Sequence, residues 1–243
     1  MRRRRRSSWF VNSSRVHLGK QMAAFARRTQ PGMLVLDAGA GRSPYRSLFA
    51  HARYEAADFA QLPHRAYAPL DYVCDLTDIP VEAERFDRVL LNQVLEHLAE
   101  PARVLRELHR VLKPGGRMFC SVPLFYPEHQ KPYDYFRYTQ FALRKLFEDA
   151  GFEVLDIRWL EGYLGTVGYQ FQYMYRHLPR DTSAFPRDRR GLQLRLLLWG
   201  TRAFARFAGG AFSRADIRWK HTVSGHPKNY VVIARRPAAA PTV

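Results

Sequence analysis

Acidic residues and closely spaced glycines follow short apolar runs in this sequence, in a pattern suited to holding a nucleoside. Residues 33–36 form an uninterrupted apolar run, and Asp37, Gly39 and Gly41 follow it. Glycines let a turn bring bare backbone against a ligand. Asp58 stands about 20 residues further on, where an acid can accept hydrogen bonds from both hydroxyls of a ribose. These residues predict a nucleotide or nucleoside site, although a glycine turn with a purely structural role is the alternative.

Two common phosphate-binding motifs are missing from this segment. A third glycine would be needed near Tyr45 for a dinucleotide fingerprint, and no Gly-Lys-Ser or Gly-Lys-Thr follows the turn. Pyrophosphate binding is therefore not favoured, and a P-loop is excluded. Ser43 and Pro44 are typical of a helix N-cap and first turn, so we expect a helix to begin there.

Apolar runs and helix signals alternate along the chain as they do in βαβ units. After the first run, strands are predicted at 54–57, 72–74, 86–91, 117–122, 153–159 and 229–234. A helix is expected to begin at Pro101 and end near Gly115, and another is expected to carry Glu96 and His97. This alternation predicts an α/β fold with a mainly parallel sheet.

Several phrases of the sequence resemble those of class I S-adenosylmethionine-dependent methyltransferases of type 11. They span residues 31–157 in the family's order and are VLDAGAG (35–41), DL (75–76), FD (86–87), VLEHL (94–98), LKPGG (112–116) and AGFEV (150–154). The resemblance implies a Rossmann-like fold. In that fold a mostly parallel seven-stranded sheet has helices on both faces, and here a C-terminal helical insertion precedes the last strand. It also implies S-adenosylmethionine as the cofactor.

The resemblance assigns parts of the cofactor to particular residues. Asp37, Gly39 and Gly41 would line the methionine part, and Asp58 would hold the ribose hydroxyls. Asp58 could instead be a solvated loop acid.

Two further positions have roles implied by the same resemblance. Asp75 with Leu76 would meet the adenine, but Asp75 could also simply begin a turn. Asn92 could place its amide near the sulfonium or satisfy backbone groups at the end of its strand.

Methyl transfer to a hydroxyl or amine needs a group that removes the acceptor's proton. His97 is the first candidate, because it titrates near neutral pH and follows the fourth predicted strand. His129 and Asp134 are also candidates, in a loop after the fifth predicted strand where acceptors commonly bind. The alternatives are a packing histidine and an ordinary surface loop. No metal site is predicted, since Cys74 and Cys120 lack paired spacing and are expected to be buried thiols.

Positive charge is concentrated at the two ends of the chain. The net charge is +17, of which residues 2–6 contribute +5 and residues 157–243 contribute +11, so residues 7–156 are nearly neutral. The basic ends could bind a polyanion or a membrane, but 33 of the 39 basic residues are arginine, which also suits an arginine-rich proteome.

The segment before the last strand is longer than an ordinary connection. The predicted organisation is a disordered basic arm (1–12), an N-terminal helix (13–30), a core (31–157), a helical insertion or lid (158–227), a last strand (228–236) and a tail (237–243). Within the insertion, residues 192–207 are apolar with Arg195, Arg202 and Arg206 on one helical stripe. We expect a lid or packed helix there, with peripheral membrane contact as the alternative.

These observations predict an enzyme that transfers a methyl group to a small-molecule or glycan-like acceptor, lipid-linked acceptors included. No secretory signal or membrane-spanning run is apparent, so a cytoplasmic location is expected, with peripheral contact at the inner membrane surface left open. An RNA methyltransferase is a second possibility, although Asn92 begins no Asn-Pro-Pro-Tyr-like tetrad and nucleic acid is the less favoured partner. A non-catalytic binding protein on the same fold is a third.

Overall fold

The structure is a computed structural model that describes residues 9–61 and 66–238. Its helices are α1 Ser13–Arg27, α2 Pro101–Val111, α3 Gln140–Asp149, α4 Tyr163–His177 and α5 Arg189–Arg218. Its strands are β1 Leu34–Ala38, β2 Arg53–Asp58, β3 Tyr72–Val73, β4 Phe86–Asn92, β5 Leu112–Pro123, β6 Glu153–Trp159 and β7 Asn229–Arg235. Most of the predicted basic arm and of the predicted tail lies outside the described residues.

The strands form one sheet in the order β3-β2-β1-β4-β5-β7-β6. Every neighbouring pair is parallel except the two that involve β7, which runs antiparallel to both β5 and β6. The predicted fold class, a mostly parallel seven-stranded sheet of the class I methyltransferase type, is therefore confirmed. The parallel strands β1 to β4 end at the same edge, and the acidic residues and glycines follow them there.

The described chain divides into two compact units, of which one contains the sheet. This unit is Leu18–Leu160 with the residues from Asn229 onward, and helices cover both faces of its sheet. On one face Met22 and Phe25 of α1 pack with Phe119. On the other face α2 and α3 contribute Leu105 and Phe147.

The second unit is built mainly from α4 and α5, in the described residues before Leu18 and in Glu161–Lys228. The helices approach closely at small residues: a Cβ on Gly168 would lie 2.6 Å from Ser213 Oγ. Buried polar groups complete the contact, since Asp216 accepts from the Gly162 N–H at 2.8 Å and lies 3.1 Å from His17 Nε2. None of the described helices is both long and apolar enough to cross a membrane.

Two predicted helices are only single 3-10 turns. Ser43 has a φ of +45°, which is not an N-cap conformation, and the turn that follows is Arg46–Phe49. Glu96 and His97 lie on the short 3-10 helix Leu95–His97, not on a longer α-helix. In both places the helix ends after about one turn. The sequence signals for a helix start do not distinguish such a short helix from a longer one.

Candidate functional site

The glycine turn after β1 is held in place by the strand and loop of β2. Gly39 and Gly41 have φ values of +74° and +52°, a region that favours glycine. A Cβ on Gly39 would lie 2.4 Å from Val94 Cγ2, so this position also has no room for a side chain. The Gly41 N–H donates to Asp58 Oδ2 at 2.8 Å, which ties the turn to the end of β2.

A cavity opens at the carboxyl ends of the first four strands, entirely within the unit that contains the sheet. It encloses about 980 Å³ of space, counting the part open to solvent. The sequence-predicted residues Gly39, Asp58, Asp75, Leu76 and His97 line it. Its described lining also includes Glu100 but no lysine or arginine, so its charged groups are carboxylates.

Asp58 and Asp75 each line the cavity and also hold a loop. Asp58 accepts the Ala60 N–H at 3.1 Å in addition to that of Gly41. Asp75 Oδ1 accepts both the backbone N–H and the hydroxyl of Thr77 at 2.8 Å. The turn that was predicted as the alternative role of Asp75 is therefore present. Asp75 also lines the cavity from this turn.

Neither Asp37 nor Gly41 is part of the described lining of the cavity. The Asp37 carboxylate is buried and accepts the Tyr54 hydroxyl. Burial raises the pKa of Asp37 to about 6, although the hydrogen bond from Tyr54 opposes this shift. In this structure the Asp37 side chain therefore links β1 to Tyr54 of β2.

Asn92 is directed toward β5 and lies outside the described lining of the cavity. Its Oδ1 accepts the Ser121 hydroxyl at 2.6 Å. The next two residues, Gln93 and Val94, line the cavity in its place, and Gln93 has a φ of +56°. Sequence reasoning missed both, because nothing local marks the backbone change that turns the chain after Asn92.

The structure brings His97, His129 and Asp134 together. The rings of His97 and His129 meet edge to face, with centroids 4.6 Å apart. Asp134 accepts two hydrogen bonds from Arg137 at 2.8 Å and one from the His129 N–H at 2.8 Å. These bonds hold the pKa of Asp134 well below its usual range, which favours a positioning role for this carboxylate over proton transfer.

His97 reaches the cavity with both ring nitrogens engaged. Its Nδ1 lies 2.5 Å from the Tyr133 carbonyl oxygen, which fixes a proton on that nitrogen. Its Nε2 lies 2.9 Å from the Gln130 amide nitrogen. Burial lowers the pKa of His97, so its neutral form is favoured.

Glu96 is a buried acid next to His97. The sequence predicted that it lies on a helix but indicated no role for it. Its side chain is inaccessible, and neither carboxylate oxygen has a hydrogen-bond partner among the described residues. Burial raises the pKa of Glu96 to about 8. No sequence signal could have revealed this burial, since it depends on the loop after β5, whose Tyr135 N–H donates to the Glu96 carbonyl oxygen at 2.9 Å.

Comparison with known proteins agrees with this architecture. Residues 36–120 match the family model described as a methyltransferase domain. A probable S-adenosylmethionine-dependent methyltransferase of Mycolicibacterium smegmatis is 33% identical over 139 residues, or 51% of this chain and 54% of that protein. A demethylmenaquinone methyltransferase of Clavibacter sepedonicus is 38% identical over 35% of this chain and 38% of its own length. The chain thus spans about half, or less, of these curated relatives.

Solved structures share the fold over most of the chain. A phosphoethanolamine N-methyltransferase of Haemonchus contortus in complex with S-adenosylmethionine has a TM-score of 0.52 and 15% identity, covering 90% of this chain and 52% of that one. The [4+2]-cyclase SpnF has a TM-score of 0.56 and 19% identity, covering 91% and 81%. Because a cyclase shares this fold, the fold by itself does not identify the reaction.

The sequence phrases, the sheet order and the cavity beside Gly39 and Asp58 agree with the matched domain model and with its cofactor. Residues 36–120 of this chain therefore match a methyltransferase domain, within a fold that solved S-adenosylmethionine-dependent methyltransferases share.

Proposed function

We propose that this chain transfers the methyl group of S-adenosylmethionine to an uncharged small-molecule or glycan-like acceptor, lipid-linked acceptors included. The observation that carries the proposal is the cavity at the carboxyl ends of β1 to β4, where Gly39, Asp58 and Asp75 meet. Ligands of open α/β sheets bind at this edge.

The residues present fit the cofactor. Gly39 lets the backbone approach the methionine part, Asp58 would accept from the ribose hydroxyls, and Leu76 would pack on the adenine beside Asp75. When bound, S-adenosylmethionine supplies a methyl carbon that is already activated by a positively charged sulfur. The carboxylates of the lining suit that positive charge.

The same lining bears on the acceptor. Four aromatic side chains contribute to it, and they are Phe59, Tyr67, Tyr133 and Tyr135. Aromatic walls suit the face of a sugar or an aromatic ring. Two of the relatives have names that concern quinones, a demethylmenaquinone methyltransferase and a ubiquinone biosynthesis O-methyltransferase. Because the described lining has no cation to hold a phosphate, a small neutral acceptor is favoured over RNA.

The protein's main contribution to catalysis would be alignment. An in-line displacement needs the acceptor atom held opposite the sulfur, and positioning together with exclusion of water can supply most of the acceleration. Tyr133 and Tyr135 come from the loop after β5 and can close over an acceptor from that side. A hydroxyl acceptor must also lose its proton as the new bond forms.

Calorimetric titration with S-adenosylmethionine and S-adenosylhomocysteine tests the cofactor before any acceptor is known. We expect the wild type to bind both with micromolar affinity. Gly39→Ala should bind neither, because the added Cβ would lie 2.4 Å from Val94 Cγ2. Gly32→Ala is the matched control: Gly32 also has a positive φ, +81°, but its Cβ would meet nothing within 4 Å.

Absence of binding by folded wild-type protein would overturn the proposal. Where binding is found, the acceptor class can be identified with a panel of phenols, hydroxylated quinones, glycans and short RNAs. Formation of S-adenosylhomocysteine is measured with each. Turnover confined to RNA would overturn the assignment of a small neutral acceptor.

We also propose that α5 contacts an anionic membrane surface. Its exposed apolar side chains are between 44 and 71% accessible and comprise Leu192, Leu194, Leu196, Leu197, Trp199, Phe204 and Phe207. The only acidic residue of α5 is Asp216, which is buried. Among the exposed apolar side chains, Leu192, Leu196 and Trp199 are spaced by four and three residues and so share one face. A basic helix with such a face is typical of one that lies in a membrane interface. This contact would bring the chain to a lipid-linked acceptor.

A further inference from the structure

Glu96, His97 and His129 form a cluster whose chemistry the methyltransferase fold does not require. One ligand atom of each lies within 4.8 Å of the other two. Glu96 and His97 come from the 3-10 helix after β4, and His129 comes from the loop after β5. One carboxylate and two imidazoles are a donor set suited to a divalent transition metal such as Zn²⁺, Co²⁺, Mn²⁺ or Fe²⁺.

The Glu96 side chain is the strongest sign that something is held here. It is fully buried, and within residues 9–61 and 66–238 neither of its carboxylate oxygens has a hydrogen-bond partner. A buried acid without partners is costly, and native structures seldom leave one unexplained. A cation beside Glu96 would supply the missing partner.

The surroundings of the two histidines match those of metal ligands. His97 donates from Nδ1 to the Tyr133 carbonyl oxygen, so its Nε2 keeps a lone pair, and this nitrogen lies 3.7 Å from Glu96 Oε1. His129 Nδ1 lies 3.5 Å from Asp134 Oδ2. Metal-binding histidines usually have a carbonyl or a carboxylate on the nitrogen that does not bind the metal.

Formation of the site requires a small closure. Tetrahedral Zn²⁺, with bonds of about 2.0–2.1 Å, holds its ligand atoms about 3.3 Å apart. The cluster atoms would have to approach by up to about 1.5 Å from their spacing in this structure. The Gln130 amide, 2.9 Å from His97 Nε2, would also have to turn aside or offer its oxygen.

We propose that Glu96, His97 and His129 bind one divalent transition-metal ion, with an open coordination position toward the cavity that His97 lines. Metal binding itself does not depend on the proposed function, whereas its catalytic role does. In that role the metal would coordinate the acceptor hydroxyl and lower its pKa, so that the proton leaves to water. The acceptor oxygen then forms a bond to the methyl carbon while the carbon–sulfur bond breaks and its electron pair stays on sulfur. The metal would replace the general base predicted at His97.

The test is a titration of metal-free, full-length protein with Co²⁺, followed by visible absorption and calorimetry. The wild type should bind one equivalent and show the d–d bands of a low-coordinate Co²⁺ ion. Glu96→Gln and His129→Ala should each lose at least about 100-fold in affinity, since loss of even an outer partner costs 10- to 100-fold. His177→Ala, which removes an exposed histidine of α4, is the control and should bind as the wild type does.

Equal Co²⁺ affinity in all four proteins, or no binding by the wild type at millimolar metal, would overturn the site. Two variants are used because they lie on different segments, and thermal melts establish that each is folded. Titration of the same metal-free samples with S-adenosylhomocysteine separates the two proposals. Metal binding without nucleoside binding overturns the proposed function alone, and the reverse result overturns the metal site alone.

Discussion

Asp58 has two structural contacts, because one of its carboxylate oxygens holds the glycine turn and the other holds the loop that follows β2. Oδ2 accepts from Gly41 and Oδ1 accepts from Ala60, while the carboxylate also faces the cavity. The residue that would bind the ribose thus also holds the turn that would bind the methionine part. A substitution must separate these roles to be informative.

Asp58→Asn achieves this separation. The amide oxygen can still accept from Gly41, but the charge that would hold the ribose hydroxyls is lost. We expect cofactor binding to weaken by about 1–3 kcal/mol, the range for a hydrogen bond to a charged group and for a partner left unsatisfied. Asp71→Asn is the control, since Asp71 also accepts a backbone N–H at 2.8 Å, from Ala56, but does not line the cavity. Calorimetry that finds equal losses in both variants would contradict the ribose assignment.

The buried Asp37 predicts a pH dependence of stability. Its pKa is about 6 in the folded protein, against an ordinary value of 3.8, because of burial. Between these values the folded state binds more protons than the unfolded state, so stability falls as pH rises from about 4 to about 6. Asp37→Asn removes this contribution, and the stability of the variant relative to the wild type should rise by up to about 3 kcal/mol across that interval.

Urea unfolding at several pH values measures this difference. Tyr54→Phe should raise the pKa of Asp37 further. The Tyr54 hydroxyl donates to the Asp37 carboxylate and favours its charged form, and the variant lacks this hydroxyl. In that variant the pH-dependent loss should extend to higher pH. Parallel profiles for wild type and Asp37→Asn would show that Asp37 does not titrate in this interval.

At the scale of elements, apolar runs were sufficient to predict the seven strands and their order along the chain. Local signals failed where the backbone turns within a few residues: at Ser43, with its positive φ, and after Asn92, where Gln93 enters the cavity instead. They also could not reveal Glu96 as a buried group, because its cover comes from residues about 40 positions away. Contacts of that kind depend on packing, which a single sequence does not display.

The close approach of α4 and α5 makes a prediction at the same scale. In Gly168→Ala the new Cβ would lie 2.6 Å from Ser213 Oγ and 2.7 Å from its backbone nitrogen, so the helices must separate. A loss of about 1–3 kcal/mol is expected, the usual cost of overpacking. In Gly200→Ala, inside α5, the new Cβ would meet nothing within 4 Å, and the variant should be stabilised by up to about 1 kcal/mol through helix propensity. Thermal unfolding followed by circular dichroism should therefore shift in opposite directions, and shifts of equal sign would contradict this packing.

At the scale of the whole molecule, positive charge and exposed apolar surface coincide on α5. The arginine stripe predicted from sequence is partly structural, since Arg195 and Arg202 donate to carbonyl oxygens of Phe185 and Leu178 at 3.1 and 2.8 Å. The exposed Arg206 and the arginines at the start of the helix are then the groups that could meet anionic headgroups. Leu196 and Trp199, 60 and 71% exposed and three residues apart on the helix, are the apolar groups placed to enter the interface.

Vesicle flotation tests this surface directly. Wild-type protein should float with vesicles containing anionic lipid, float less with zwitterionic vesicles, and lose binding as salt rises, because exposed charges are screened. The double variant Leu196→Ser with Trp199→Ser should reduce partitioning by at least about 10-fold, since burying each side chain is worth about 1.5–3 kcal/mol. Phe141→Ser is the matched control: Phe141 is 76% exposed but lies on α3. Wild-type protein that stays with the unbound fraction at low salt would contradict the membrane contact. Equal losses in the double variant and the control would place the contact elsewhere on the molecule.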